Sequence, residues 1–227
     1  MGQLVEGVWQ SRNFSPTVVG GRFQRKDSAF RRRVDADPEA EFPAEPGRYH
    51  LYVSLACPWA HRTLIFRALK RLESAISVNV VEPYMGEQGW VFGAAPGATA
   101  DTVNGFKALH QVYSKAKPDY TGRVTVPVLW DKQTQQIVSI DSAEISRRLN
   151  SAFDAFGDST LDFYPAALRP EIDQVNALVY APINNGVYKA GFATTQQGYE
   201  DAYDALFAAL CQLEALLPRQ LYLVGER

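Results

Sequence analysis

The chain is poor in residues that bind metals or form cross-links, with 2 cysteines and 3 histidines among 227 residues. Cys57 and Cys211 cannot build a disulfide framework, and His50, His61 and His110 are scattered without metal-ligand spacing. No metal is expected. An excess of charge is lacking too. Lys plus Arg number 23 and Asp plus Glu 25, a net charge of −2, so no overall attraction to nucleic acid or an anionic membrane follows. No apolar run approaches the roughly 18 residues that would span a bilayer. The N-terminus, Met1 to Gly7, has no basic patch leading into an apolar run, so no signal peptide is expected. Glu6 stands where a myristoylation motif requires Ser or Thr. A soluble cytoplasmic protein without nucleic-acid or membrane partners is the expectation.

What is present suffices for a core: 46% of residues are hydrophobic, and the length suits one or two domains. Residues 1–46 read as an extension. Its basic cluster, Arg22, Arg25, Lys26, Arg31, Arg32 and Arg33, is interleaved with Phe23 and Phe30, which we read as anchors on the body of the protein. Residues 47–150 read as an α/β domain. Tyr49, Leu51 and Val53 alternate with His50, Tyr52 and Ser54, predicting a strand. A helix opens at Pro58, with Ile65, Ala68, Leu69 and Leu72 as its apolar stripe, and Ile76 to Val80 give a second strand. Strand, helix and strand make a βαβ unit.

The glycine-rich stretch 82–122 reads as a long connection holding one short helix near Phe106 to Tyr113. Arg123 to Trp130 then reads as a strand, hairpin-linked to Ile137-Val138, and Asp141 to Glu144 match a capping box opening a helix. Residues 151–165 read as a linker and 166–227 as a helical domain. We expect two helices there at most, with Leu221 to Val224 a brief strand and Cys211 filling the core. So small a domain is marginal, and the chain reads as stopping inside it.

Chemistry concentrates at Cys57. It stands where strand meets helix, beside the unpaired N–H groups and positive end of the helix dipole, and Pro58 suits the first helical position. A thiolate is favoured there, and the thiolate is the nucleophile. The motif is Cys57-Pro58-Trp59-Ala60, with no second thiol one turn on. Exchange then needs a thiol from solution, for which glutathione is the abundant cytosolic candidate. His61 and Arg62, one turn into the helix, either add positive potential near the thiolate or take the commoner roles of a packed histidine and a solvated arginine. The Val126–Pro127 bond is expected to be trans on frequency alone. Asp141 and Ser142 serve either as caps alone or to hold an amine and a carboxylate.

Taken together, these pieces resemble the glutathione transferases, and within them the Xi class, the glutathionyl-hydroquinone reductases. The resemblance rests on Gly21 to Arg25 with Ser28 to Arg31, Cys57 to Arg62, Gly89-Trp90, Thr125 to Asp131 and Ile183 to Phe192. It implies a thioredoxin-like N-terminal domain followed by a helical C-terminal domain, and a homodimer where that second domain is complete. It also implies glutathione as co-substrate, glutathionyl-hydroquinones as substrates, and reductive deglutathionylation through Cys57. Trp90, Arg123, the Val126 backbone, Asp141 and Ser142 would then hold glutathione, and Tyr188 would face the aromatic half of the substrate. Asp141 stands where the family usually has Glu, keeping the charge on a shorter arm. An Omega-like thioltransferase and a non-catalytic glutathione-binding protein are the alternatives.

Overall fold

The computed structural model describes residues 2–11, 17–25 and 27–225. Lys26 of the basic cluster and Glu226–Arg227 lie outside the described residues. Strands β1 (Gln3–Val5), β2 (Val8–Gln10), β3 (Val18–Val19), β4 (Arg22–Phe23) and β5 (Tyr49–Val53) lead into helix α1 (Pro58–Leu69). Then come β6 (Ser77–Val80), α2 (Leu109–Ala116), β7 (Val128–Asp131), β8 (Gln136–Ser139) and α3 (Ser142–Ser151), followed by α4 (Arg169–Val179), α5 (Gly186–Gly191) and α6 (Gln196–Leu216). Two compact units result, Met1–Phe14 with Ser28–Phe163 and Ser15–Asp27 with Tyr164–Arg227, so the extension is divided between them.

The first unit is built on a four-stranded sheet in the order β6-β5-β7-β8. β5 runs parallel to β6 and antiparallel to β7, which forms a hairpin with β8. The βαβ unit and the hairpin lie where the sequence pattern puts them. β7 is shorter than expected and begins at Val128, because Pro127 has no N–H for the ladder. The Val126–Pro127 bond is cis, against the expectation of trans. Residues 30–32 extend the sheet beyond β8: Ile140 N–H donates to Phe30 O (3.1 Å) and Arg32 N–H to Val138 O (2.9 Å). Phe30 is buried in the core of this unit, and Arg31, Arg32 and Arg33 pair with Asp141, Glu41 and Glu144.

Two local elements differ from the sequence pattern. Most of the expected apolar stripe of α1 lies on its outer face, with Ile65 42% and Leu69 44% exposed, whereas Leu72, just past the helix end, is buried as expected. Small Ala60 and Thr63 are the residues the helix buries, and small side chains permit close packing. Second, the capping box is half a box. Asp141 accepts from the N–H groups of Ala143 and Glu144, but Glu144 turns away to Arg33 and Arg148. Ser139 Oγ takes the Asp141 N–H instead, at 3.1 Å.

All five residues of β5 are buried, His50 and Tyr52 of the alternate face included. The long connection after β6 supplies the cover. Asp101 accepts from Tyr52 Oη (3.0 Å) and from the N–H groups of Val103, Asn104 and Phe106. Asn79 fixes the same segment through Thr102 N–H (2.9 Å) and Thr99 Oγ1 (3.1 Å). His50 is buried with Nδ1 2.7 Å from Ser77 Oγ. At the start of the strand, Arg48 makes a two-pronged bond to buried Asp131, at 3.0 and 2.6 Å. Burial pushes the Asp131 carboxyl up, but the Arg48, Gln133 and Thr134 hydrogen bonds outweigh it and leave the group below the ordinary carboxylate range.

Among the described residues the second unit contains three α-helices, not two. A π turn at Tyr180–Asn184 separates α4 from α5 and breaks the apolar period that would mark them as helices in the sequence. The β3–β4 hairpin joins this unit: Phe23 packs on Phe192 at 5.2 Å, Arg22 pairs with Asp201, and Thr194 N–H donates to Gly21 O at 3.0 Å. Along α6 the buried residues are Gly198, Ala202 and Ala209. Tyr203, Phe207 and Leu210 are exposed. Cys211 is also exposed, contrary to the core role expected of it, because it falls outside the face that packs. Residues 221–224 form bends, not a strand.

Asp131→Ala leaves buried Arg48 with only the part-exposed Glu45 carboxylate, 2.9 Å from Nη1, so the loss approaches the lower end of the about 3–5 kcal/mol that breaking a buried pair costs. Urea unfolding of the variant measures the loss. His50, pushed down to about 4 by burial, gives a pH test. The unfolded chain takes up this proton near its ordinary value of 6.5 and the folded chain only near 4, so stability falls as pH drops through that window. At about 1.4 kcal/mol per unit the loss amounts to roughly 3 kcal/mol. Unfolding curves at pH 7.5 and 4.5 should show a smaller acid loss for His50→Gln than for the natural chain.

Candidate active site

The turn from β5 into α1 presents Cys57. Ala56 N–H donates to Ser54 Oγ (3.2 Å) and Cys57 N–H to Ser54 O (3.1 Å), which tightens the chain before Pro58 starts the helix. Cys57 is the N-cap residue, with extended backbone dihedrals, and its side chain takes no part in capping. The half-buried thiol instead donates to Val126 O at 3.7 Å. The first turn of α1 lies immediately behind the sulfur, where a helix end favours negative charge.

A second helix start lies close by. α1 packs against α3, and Arg62 reaches across to Ser142, with Nε 3.0 Å and Nη2 2.7 Å from Oγ. Its guanidinium also lies 5.2 Å over the Trp59 ring. Arg62 is therefore more than a solvated arginine. The available signal was its spacing of three residues from Trp59, which sets the two on one side of the helix. His61 is exposed, not packed. Asp141 caps α3 through Oδ1 at 3.0 Å from Ala143 N, and its Oδ2 lies 3.5 Å from Arg31 Nη2.

Trp90 and Arg123 stand at opposite ends of the connection between β6 and β7. Trp90 is half-buried against the core, and its carbonyl accepts from Leu109 N–H at 2.9 Å. Arg123 is exposed, and its carbonyl accepts from Tyr120 Oη at 3.0 Å. Tyr188 belongs to the second unit, where it stacks on Phe192 at 6.5 Å beneath the Arg25 guanidinium, 5.4 Å away. Cys57 with Val126 and Arg62 with Ser142 thus give two contacts from the first turns of α1, both within the first unit. Among the described residues no group of three His, Cys, Asp or Glu side chains is placed to hold a metal, and no helix is long and apolar enough to cross a membrane.

Residues 56–152 match the N-terminal domain family of glutathione S-transferases. Across all 227 residues the chain is 53% identical to the glutathionyl-hydroquinone reductase PcpF of Sphingobium chlorophenolicum, and it spans 71% of that protein. A Xi-class glutathione transferase from Natrialba magadii superposes with a TM-score of 0.89 at 47% identity, over 98% of this chain and 67% of that one. The chain belongs to the Xi class of glutathione transferases. The glutathione-bound structure of YqjG, a glutathione transferase homologue from Escherichia coli, superposes with a TM-score of 0.87 at 50% identity, over 100% of this chain and 70% of that one. The acidic helix cap of this chain, Asp141, is paired to Arg31.

Asp141 separates two roles by substitution. Asp141→Ala removes a cap and costs about 1 kcal/mol of stability, whereas Asp141→Asn keeps an N-cap acceptor and costs less. Thermal unfolding gives that difference. If the carboxylate also holds a ligand amine, calorimetry will show glutathione bound more weakly by both variants, Asn included.

Proposed function

We propose that the chain performs glutathione-dependent reductive deglutathionylation of glutathionyl-hydroquinones. The observation that carries this reading is a single half-buried thiol at a helix start, with no second cysteine a turn away. Such a thiol can take up a glutathionyl group but cannot resolve the resulting mixed disulfide internally. The whole-chain identity to PcpF supplies the substrate class.

In this reading the Cys57 thiolate attacks the glutathione sulfur of the substrate. A sulfur–sulfur bond forms as the bond from sulfur to the aromatic carbon breaks, and that carbon takes a proton, giving free hydroquinone. A second glutathione, as its thiolate, attacks the glutathionyl sulfur on Cys57. Oxidised glutathione leaves and the Cys57 thiolate returns. The sum is one glutathionyl-hydroquinone and one glutathione converted to hydroquinone and glutathione disulfide.

Trp90, Arg123, the Val126 backbone, Asp141 and Ser142 hold glutathione in this scheme, and Tyr188 donates a hydrogen bond to the substrate hydroxyl. Arg62 fixes the Ser142 hydroxyl relative to α1. We place the protein in the cytosol, where the glutathione pool supplies the resolving thiol. The domains we assign to the work are a thioredoxin-like one over 47–150 and a helical one from 166, joined by a linker over 151–165.

Chromatography of a reaction containing a glutathionyl-hydroquinone and glutathione tests the proposal. Cys57→Ser should lower turnover by at least about a thousandfold, as loss of a covalent nucleophile does, while still binding glutathione. Retention of most activity would overturn the mechanism. Tyr188→Phe should lower turnover about tenfold with glutathione affinity held. Faster turnover of a glutathionylated peptide than of the hydroquinone would favour the Omega-like reading. Glutathione binding without any Cys57-dependent product would leave a binding protein.

A further inference from the structure

The N-terminal hairpin has no part in the chemistry above, yet it touches both ends of the long connection that carries Trp90 and Arg123. Its two strands, β1 and β2, are joined at Glu6-Gly7, both with positive φ (48° and 76°), the geometry of a tight two-residue hairpin turn. On one side, Leu4 exchanges a pair of backbone hydrogen bonds with Gly122, each 2.9 Å, next to Arg123. Glu6 N–H donates to Thr121 Oγ1 at 2.8 Å. On the other side, Trp9 reaches the turn that precedes Trp90.

The Trp9 contacts are specific in shape. Its indole N–H donates to Glu87 O at 2.9 Å. Its ring stacks on His110, with centroids 4.7 Å apart and planes inclined by 11°. His110 in turn binds Gln88 through Nε2 at 3.0 Å. The ring covers Gly89, where an added Cβ would lie 2.9 Å from Trp9 Cη2, and the Gly89 φ of +68° independently favours glycine. Three successive residues before Trp90 are thus held from one side by Trp9 or by the histidine stacked on it.

We infer that the N-terminal hairpin is a brace for the glutathione site, with Trp9 a positioning residue that sets the Trp90 turn while Leu4 and Glu6 set the approach to Arg123. The inference rests on the proposed role of Trp90 and Arg123 in holding glutathione. Both residues sit on irregular chain, which has no ladder of its own to fix a side chain. A misplacement of the order of an ångström at a binding group is costly, and the hairpin removes that freedom at both ends of the connection.

The test uses the full chain, with Trp9→Ala, Trp9→Phe and Gly89→Ala. Phe keeps the stack on His110 and the cover over Gly89 but lacks the N–H for Glu87. Trp9→Ala and Gly89→Ala should raise the glutathione Kd and KM about tenfold with kcat changed less than about threefold. Trp9→Phe should recover most of the affinity. Hydrogen exchange without ligand should show residues 86–92 deprotected in Trp9→Ala. Unchanged glutathione affinity in Trp9→Ala despite that deprotection would overturn the brace as a binding device. Unchanged exchange at residues 86–92 would overturn the positioning itself. Failure of the natural chain to bind glutathione would instead overturn the proposed function, while the exchange data still decide whether Trp9 sets the turn.

Discussion

The central strand β5 is covered on both faces, and its polar groups must find partners within the protein. Much of the first unit follows from that constraint. Tyr52 draws Asp101 inward, and Asp101 in turn gathers three backbone N–H groups of the long connection. Arg48, at the foot of the strand, requires the carboxylate of Asp131 on β7. Ser54, at its head, uses its hydroxyl and its carbonyl to shape the turn that delivers Cys57. The reactive end of the strand and its structural end are thus fixed by the same demand.

The sequence disclosed the elements of the first unit well, because each carries a local signal. Alternation marks β5, Pro58 marks the start of α1, and Asp141 marks the start of α3. It disclosed less about which face of an element is covered. Ile65 and Leu69 have the spacing of a buried stripe and lie outside, since the inner face of α1 is chosen by close approach of Ala60 and Thr63 and not by hydrophobicity alone. Alternation marks β5 but not the burial of its second face, because that cover arrives from a segment some fifty residues downstream.

Among the site residues, Cys57, Asp141 and Ser142 were legible as helix starts, and Val126 by its place before a strand proline. Trp90, Arg123 and Tyr188 carried no local pattern and came from family likeness alone. Arg62 was undervalued, since its partner Ser142 lies 80 residues away. The role of Trp9 was invisible for the same reason. A lone tryptophan in a short N-terminal strand has no periodicity to read, and its partners at 87, 89 and 110 are brought together only by the fold.

The pairing of residues 30–32 along β8 has a consequence outside the site. Without it, β8 would offer an open row of amide and carbonyl groups to any extended chain that came near. The extension closes that row with its own backbone and sets three consecutive arginines, Arg31, Arg32 and Arg33, along the new border. Charge at a sheet border discourages the stacking of one molecule onto the next. The same three arginines are held there by carboxylates, Asp141, Glu41 and Glu144, so the border is one of paired charge.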